Sequence, residues 1–113
     1  MEIKVKFWIE NKGEVVLGGG KTAFLLAVDH FGSIQRAAEE FGMSYRHAWG
    51  AIKKIEQRAG FRIMDTKIGG RNGGAKLTPK GKALVKAMDA LFKDLQTTVG
   101  KRFRQKLRNH SLK

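Results

Sequence analysis

Apolar residues recur along this chain with two periods, and the changes of period mark its elements. Residues 3–9 set Ile3, Val5, Phe7 and Ile9 against Lys4, Lys6 and Trp8, the alternation of a half-buried strand. Asn11-Lys12-Gly13 follows as a turn and Val15-Val16-Leu17 returns, so a hairpin is expected over 3–17. From residue 21 the period becomes helical. Phe24, Ala27, Val28 and Phe31 share a face, which predicts a helix over 21–31 that closes at Gly32. Ile34, Ala37, Ala38 and Phe41 fall at i, i+3, i+4 and i+7; after a break at Gly42, Ala48, Ile52, Ile55 and Ala59 fall at i, i+4, i+7 and i+11. Ser33 and Ser44 stand just ahead of these runs, where a hydroxyl caps free backbone N–H groups. Two short helices about a glycine-containing turn make a helix-turn-helix over 33–59, and the helix 21–31 completes a three-helix core.

Beyond Gly60, Phe61-Arg62-Ile63-Met64 reads as a strand, Gly69-Gly70-Arg71-Asn72-Gly73-Gly74 as a loop, and Ala75-Lys76-Leu77 as a second strand. Strand, glycine-rich tip and strand form a wing over 61–77, which completes a domain over 1–78. Thr78-Pro79 then starts a helix, a capping hydroxyl followed by proline at the first helical position. Leu84, Met88, Leu91 and Leu95 follow at i, i+4, i+7 and i+11, with Val85, Phe92 and Val99 as a second apolar row. That stripe over 79–100 is too broad for an exposed helix of a small monomer. Two arrangements satisfy it: packing back on the domain, or pairing with its twin in a second chain. Residues 101–113 keep only Phe103 and Leu107 as a weak period and read as a basic tail, either a frayed helix end or a strand of charge lying on phosphates.

Charge identifies the partner. The 113 residues hold 23 Lys and Arg against 10 Asp and Glu, a net +13, which points to a polyanion. Nucleic acid is the first candidate, double-stranded DNA once the helix-turn-helix is taken with it, and an anionic membrane surface the second. The excess is local. Residues 62–82 carry Arg62, Lys67, Arg71, Lys76, Lys80 and Lys82 against Asp65 alone, and residues 101–113 carry six cations and no acid. The polar side of the second helix-turn-helix helix concentrates Ser44, Tyr45, Arg46, Trp49, Gly50 and Lys53 in its first turns, the part that meets base edges in the major groove. Arg46 suits guanine, Tyr45 a phosphate or base edge, and Lys53 a phosphate. His47 on the same helix can reach a phosphate. At the wing, Arg71 can enter a minor groove or bond a phosphate, and Asn72 and Lys76 join it as candidate contacts. The plainer alternative is that Tyr45 and Trp49 pad a crowded surface and the cations are solvated.

Other chemistries find little support. There are no cysteines, so no disulfide framework and no thiolate metal site. His30, His47 and His110 show no common metal spacing, and no carboxylate pair or activated nucleophile stands out; no catalytic residue, metal or cofactor is expected. Gly18-Gly19-Gly20-Lys21-Thr22 ends like a phosphate loop, but that motif needs a glycine at position 15, which is Val15. No stretch approaches the length of a membrane-spanning helix. A cytoplasmic, nucleoid-associated protein is expected.

The run from Gly32 to Ile52, with Gly32-Ser33-Ile34, Ala37-Ala38, Gly42-Met43-Ser44-Tyr45-Arg46 and Ala48-Trp49, resembles the N-terminal domain of the ModE family of molybdate-responsive transcriptional regulators. That domain is itself similar to the winged helix of LysR-type regulators. The likeness continues through Gly69–Gly81 and covers the chain to about residue 95. The resemblance implies a mainly α fold with small β hairpins: a winged helix-turn-helix with a long C-terminal dimerisation helix. It implies operator binding by a homodimer joined through Leu84, Met88, Leu91, Phe92 and Leu95, with recognition helices roughly 34 Å apart. Family members hold molybdate in C-terminal modules; residues 101–113 are too short to fold one, so no molybdate site is expected here. An architectural protein that binds DNA with little sequence preference is the alternative.

Overall fold

A computed structural model describes residues 1–66 and 74–110. The elements run β1 (Trp8–Asn11), β2 (Glu14–Gly18), α1 (Gly19–Phe31), α2 (Ile34–Glu40), α3 (Tyr45–Ala59), β3 (Met64–Thr66), β4 (Ala75–Leu77) and α4 (Pro79–Asn109). The strands make two separate antiparallel pairs, β1 with β2 and β3 with β4. The core lies where α1, α2, α3 and the near end of α4 meet, filled by Leu17, Phe24, Leu25, Val28, Ile52, Ile63 and Val85. The mainly α class with small hairpins is therefore what the chain adopts.

Local chemistry explains the helix ends. Ser33 Oγ accepts from the Arg36 N–H at 3.1 Å and Ser44 Oγ from the His47 N–H at 3.0 Å. Thr78 Oγ1 accepts from the Gly81 N–H at 3.0 Å. Each such cap is worth about 1 kcal/mol. Between α2 and α3 the chain reverses at Gly42 with φ 65°, a left-handed conformation that costs a side-chain-bearing residue energy. Ile34, Ala37 and Ala38 are buried as their spacing predicts. Phe41, expected on that face, is 42% exposed and lies edge-on to Phe24, with centroids 5.5 Å apart.

The N-terminal hairpin differs from its expected form. Its loop is the two residues Lys12 (φ 52°) and Gly13 (φ 80°), the signs that a type I′ turn requires. Its ladder begins only at Trp8, which faces Gly18. Residues 3–7 keep the predicted alternation of half-buried and exposed positions but lie along α4 instead of in a sheet. Gln96 holds them there: its Oε1 accepts from the Val5 N–H at 3.0 Å and its Nε2 donates to the Ile3 carbonyl at 2.7 Å. A single side-chain amide thus offers an extended backbone the same donor and acceptor that a neighbouring strand would. Phe7 then stacks on Phe92, with centroids 5.2 Å apart.

Helix α4 is 31 residues long, about 46 Å at 1.5 Å per residue. It extends to Asn109 and takes in most of the residues expected as a tail, and the molecule measures 63 × 30 × 22 Å. Its first turn presses on the end of α3's connection to β3. A Cβ on Gly81 would stand 2.4 Å from the Ile63 carbonyl oxygen, so only glycine allows the approach. Thr78 secures the same junction, its N–H donating to the Ile63 carbonyl at 2.9 Å and its hydroxyl to the Arg62 carbonyl at 2.7 Å.

Candidate nucleic-acid interface

Helix α3 has two opposed rows. Ala48, Ile52 and Ile55 are buried and Ala59 is half-buried. Burial of each isoleucine contributes about 1.5–3 kcal/mol, which fixes how the helix is rotated. Shifting that row back by two residues turns it through about 200°. The shifted row is Arg46, Gly50, Lys53 and Gln57, and all four are exposed. Packing the apolar row therefore dictates which side chains face solvent.

The two flanks of the outward row differ. On one side Tyr45, Trp49 and Lys53 form a ladder at i, i+4 and i+8. The Trp49 indole N–H donates to the Tyr45 hydroxyl, the two rings meet edge to face, and the Lys53 ammonium lies 4.9 Å from the centre of the Trp49 ring. Lys53 also stands 3.5 Å from Glu56 Oε1. Glu56 Oε2 in turn accepts from the N–H groups of Ile63 and Met64, at 2.8 and 3.2 Å. This carboxylate ties α3 to the start of the β3–β4 hairpin. On the other flank a cleft of about 390 Å³ opens between α3 and the β1–β2 hairpin, with Lys21, His47, Lys54 and Arg58 on its walls. Arg58 is engaged structurally, with Glu14 at 3.0 Å and the Val15 carbonyl at 2.8 Å.

The expected contact residues therefore fall into distinct settings. Ser44 caps α3 while remaining exposed. Tyr45, Arg46, His47 and Lys53 are exposed on α3, and Trp49 is half-buried with its inner edge on the core. Among the described residues Arg46 makes no ion pair. Lys76 is exposed on β4, yet its ammonium donates to the Asp29 carbonyl at 3.4 Å, beside the point where Asp29 Oδ1 accepts from the Leu77 N–H at 2.9 Å. The Leu77 bond, with the Ala75 N–H donating to the Gly32 carbonyl at 3.0 Å, closes the hairpin onto the end of α1, and Lys76 lies over that junction. Arg71 and Asn72 lie outside the described residues, as does the wing tip. Beyond the expected residues, Gln57 falls on the shifted row, whereas Lys54 and Lys21 share a surface only through the hairpin's docking. Glu56 gave the signal of an acid three residues after Lys53, though not its partners in β3.

The residues expected to join two chains also divide. Met88 is 4% exposed and belongs to the core of its own chain. Phe92 is half-buried under Phe7, and Leu84 and Leu95 are half-buried. Leu91 is 45% exposed. Between α1 and α4 an apolar groove of about 210 Å³ is lined by Ala23, Leu26, Met88 and Phe92. Among the described residues no three His, Asp or Glu side chains gather as a metal site, and no helix is long and apolar enough to cross a membrane.

Comparison with known proteins agrees with this geometry. Residues 21–82 match the profile of the bacterial regulatory helix-turn-helix proteins of the lysR family. The chain is 36% identical over 76 residues to the molybdenum-pterin-binding protein MopB of Rhodobacter capsulatus, covering 66% of this chain and 28% of that protein. It is 38% identical over 61 residues to the DNA-binding transcriptional dual regulator ModE of Escherichia coli (strain K12), covering 53% and 23%. The alignments thus span about a quarter of these two relatives' length. Among solved structures, the BenM DBD in complex with benA site 1 DNA superposes with a TM-score of 0.56 at 20% identity, over 74% of this chain and 89% of that one. ArgP from Mycobacterium tuberculosis superposes with the same TM-score at 24% identity, over 76% of this chain and 30% of that one. At these identities the likeness is one of fold, a winged helix-turn-helix with a long C-terminal helix.

Proposed function

The chain belongs to the bacterial regulatory helix-turn-helix proteins of the lysR family, and on that premise we propose that it is a DNA-binding transcriptional regulator. It binds operator DNA as a homodimer, with α3 in the major groove and the β3–β4 wing on the backbone or minor groove. The observation that carries this reading is the rotation of α3: the row opposite its buried face presents Arg46, Gly50, Lys53 and Gln57 to solvent. Tyr45 and His47 flank that row in the first turn, where side chains reach base edges. Arg46 reads a base, and Lys53 meets a phosphate by leaving the weak contact with Glu56. The two chains join along α4, where Leu91 offers an exposed apolar side chain midway along the helix.

A second reading has an observation of its own. Five cations of α4, Lys101, Arg102, Arg104, Lys106 and Arg108, are exposed on its far end, a surface that suits any phosphate backbone and favours an architectural role. Selection from genomic fragments, followed by titration of the winners against random DNA at two salt concentrations, separates the two. A regulator retains a specific advantage of roughly 10³-fold or more at the higher salt, on an inverted repeat. Equal binding to random DNA would establish the architectural role instead.

A further inference from the structure

Tyr45 and Trp49 carry an asymmetry that bears on which base is read. An indole N–H donates and offers no acceptor. In the contact between these residues the Trp49 N–H is therefore the donor and the Tyr45 hydroxyl oxygen the acceptor. The rings lie edge to face, with centroids 6.4 Å apart and planes at 81°. That bond takes the good in-plane lone pair of the phenol oxygen, whose other pair is drawn into the ring, so the phenol is left chiefly with its own proton to donate, and no hydrogen bond among the described residues uses that proton. Tyr45 is the first residue of α3 and 49% exposed. Trp49 is less free to move, held by the core on one edge and by the Lys53 ammonium over its ring.

We infer that Tyr45 is a base-reading residue of fixed polarity, and that Trp49 is the positioning residue that sets it. Tyr45 presents a donor. It selects an acceptor on the major-groove edge, guanine O6 or N7, adenine N7 or thymine O4, and disfavours cytosine, whose edge offers the N4 amino donor. Without the indole, the same hydroxyl would be free to accept as well as donate, and the preference would relax. The inference rests on the operator-binding reading above and names one determinant within it.

The test uses the full chain and the best site from the selection. Every single-base change in one half-site is titrated against the wild type, Tyr45→Phe and Trp49→Phe, with a melting curve for each variant. At one position cytosine should weaken wild-type binding by about five- to tenfold, the scale of one hydrogen bond. Tyr45→Phe should bind the best site that much more weakly, become indifferent to the base at that position alone, and keep the wild-type salt dependence. Trp49→Phe should shrink the cytosine penalty while leaving other positions unchanged, a pattern that general loss of structure does not produce. A uniform loss from Tyr45→Phe across all sequences would make the tyrosine a phosphate contact and overturn the inference alone. A full cytosine penalty in folded Trp49→Phe would overturn the part given to Trp49. If Trp49→Phe folds poorly, the conservative change at exposed Tyr45 decides the base-reading claim. A wild type that binds every sequence alike would overturn the operator-binding reading and this inference with it.

Discussion

Helices α3 and α4 are both amphipathic, and they differ in how completely their own chain covers their apolar sides. On α3 Ala48, Ile52 and Ile55 are fully buried, so what remains outside is polar and basic. On α4 Val85 and Met88 are buried, Phe92 is partly covered by Phe7, and Leu91 is 45% exposed. The N-terminal segment flanks the helix as far as Phe103 and Arg104, yet it leaves Leu91 uncovered. The contrast teaches what each helix has left to offer. A helix whose apolar row is satisfied presents hydrogen-bonding groups and charge, the chemistry of a nucleic acid. One whose row is only partly satisfied presents a leucine, the chemistry of another apolar surface.

The sharpest way to break the contrast is to attack the covered row. Ile52→Ala removes a side chain that is 1% exposed and should cost about 2–5 kcal/mol of folding stability, read as a lower midpoint in chemical denaturation. Loss of DNA binding should follow only where the protein unfolds. A variant as stable as the wild type would mean that α3 is not locked by this row. On α4, Leu91→Asp places a charge where an apolar contact is proposed and should weaken self-association by roughly 2–4 kcal/mol, the scale of an interface hot spot. The folding midpoint of the single chain should stay nearly unchanged, since the residue is exposed. An unaltered sedimentation mass would assign the Leu91 face to solvent.

A smaller effect is expected on the outward row. Arg46→Ala should cost about 1–3 kcal/mol on the preferred site and relax its specificity there, with no change in melting temperature. Lys53→Ala should instead weaken all sequences evenly and lower the salt slope by about one unit. An even loss from Arg46→Ala would remove its base-reading role.

How far these features could be read from the chain depends on the range of the forces that make them. The opposed rows of α3 and the caps at Ser33, Ser44 and Thr78 are local: each is decided within about a turn of helix, and each was legible. Gln96 was not, because its partners Ile3 and Val5 lie more than ninety residues away in the sequence and no periodicity marks an amide as a strand substitute. The capture of residues 3–7 by that side chain is also why the ladder of β1 starts at Trp8. Glu56 and Asp29 carry no local signal of their role, which is to accept backbone N–H groups at the start of β3 and in β4 and becomes visible only once the hairpin is docked. The continuation of α4 to Asn109 escaped the apolar period because good helix formers such as Lys, Arg, Gln and Leu carry the last turns while the stripe thins to Phe103 and Leu107.

The subtlest test of the contrast concerns Gly50, at the centre of the outward row. Glycine inside a helix costs roughly 1 kcal/mol relative to alanine, and no contact among the described residues requires it here. A Cβ at this position would meet no atom within 4 Å. Compare Gly81, where the Ile63 carbonyl at 2.4 Å excludes any side chain. If the outward row of α3 lies against the floor of a major groove, Gly50 sits where the backbone comes nearest the bases, between Arg46 and Lys53. Gly50→Ala should then act with opposite signs: folding stability rises by about 0.5–1 kcal/mol, while affinity for the preferred site falls. The two readouts, a denaturation midpoint and a binding titration on the same sample, separate a partner's demand from the chain's own. A variant that gains stability and binds DNA as tightly as before would show that the groove does not approach α3 at Gly50, and contact with the bases would be confined to the first turn of the helix.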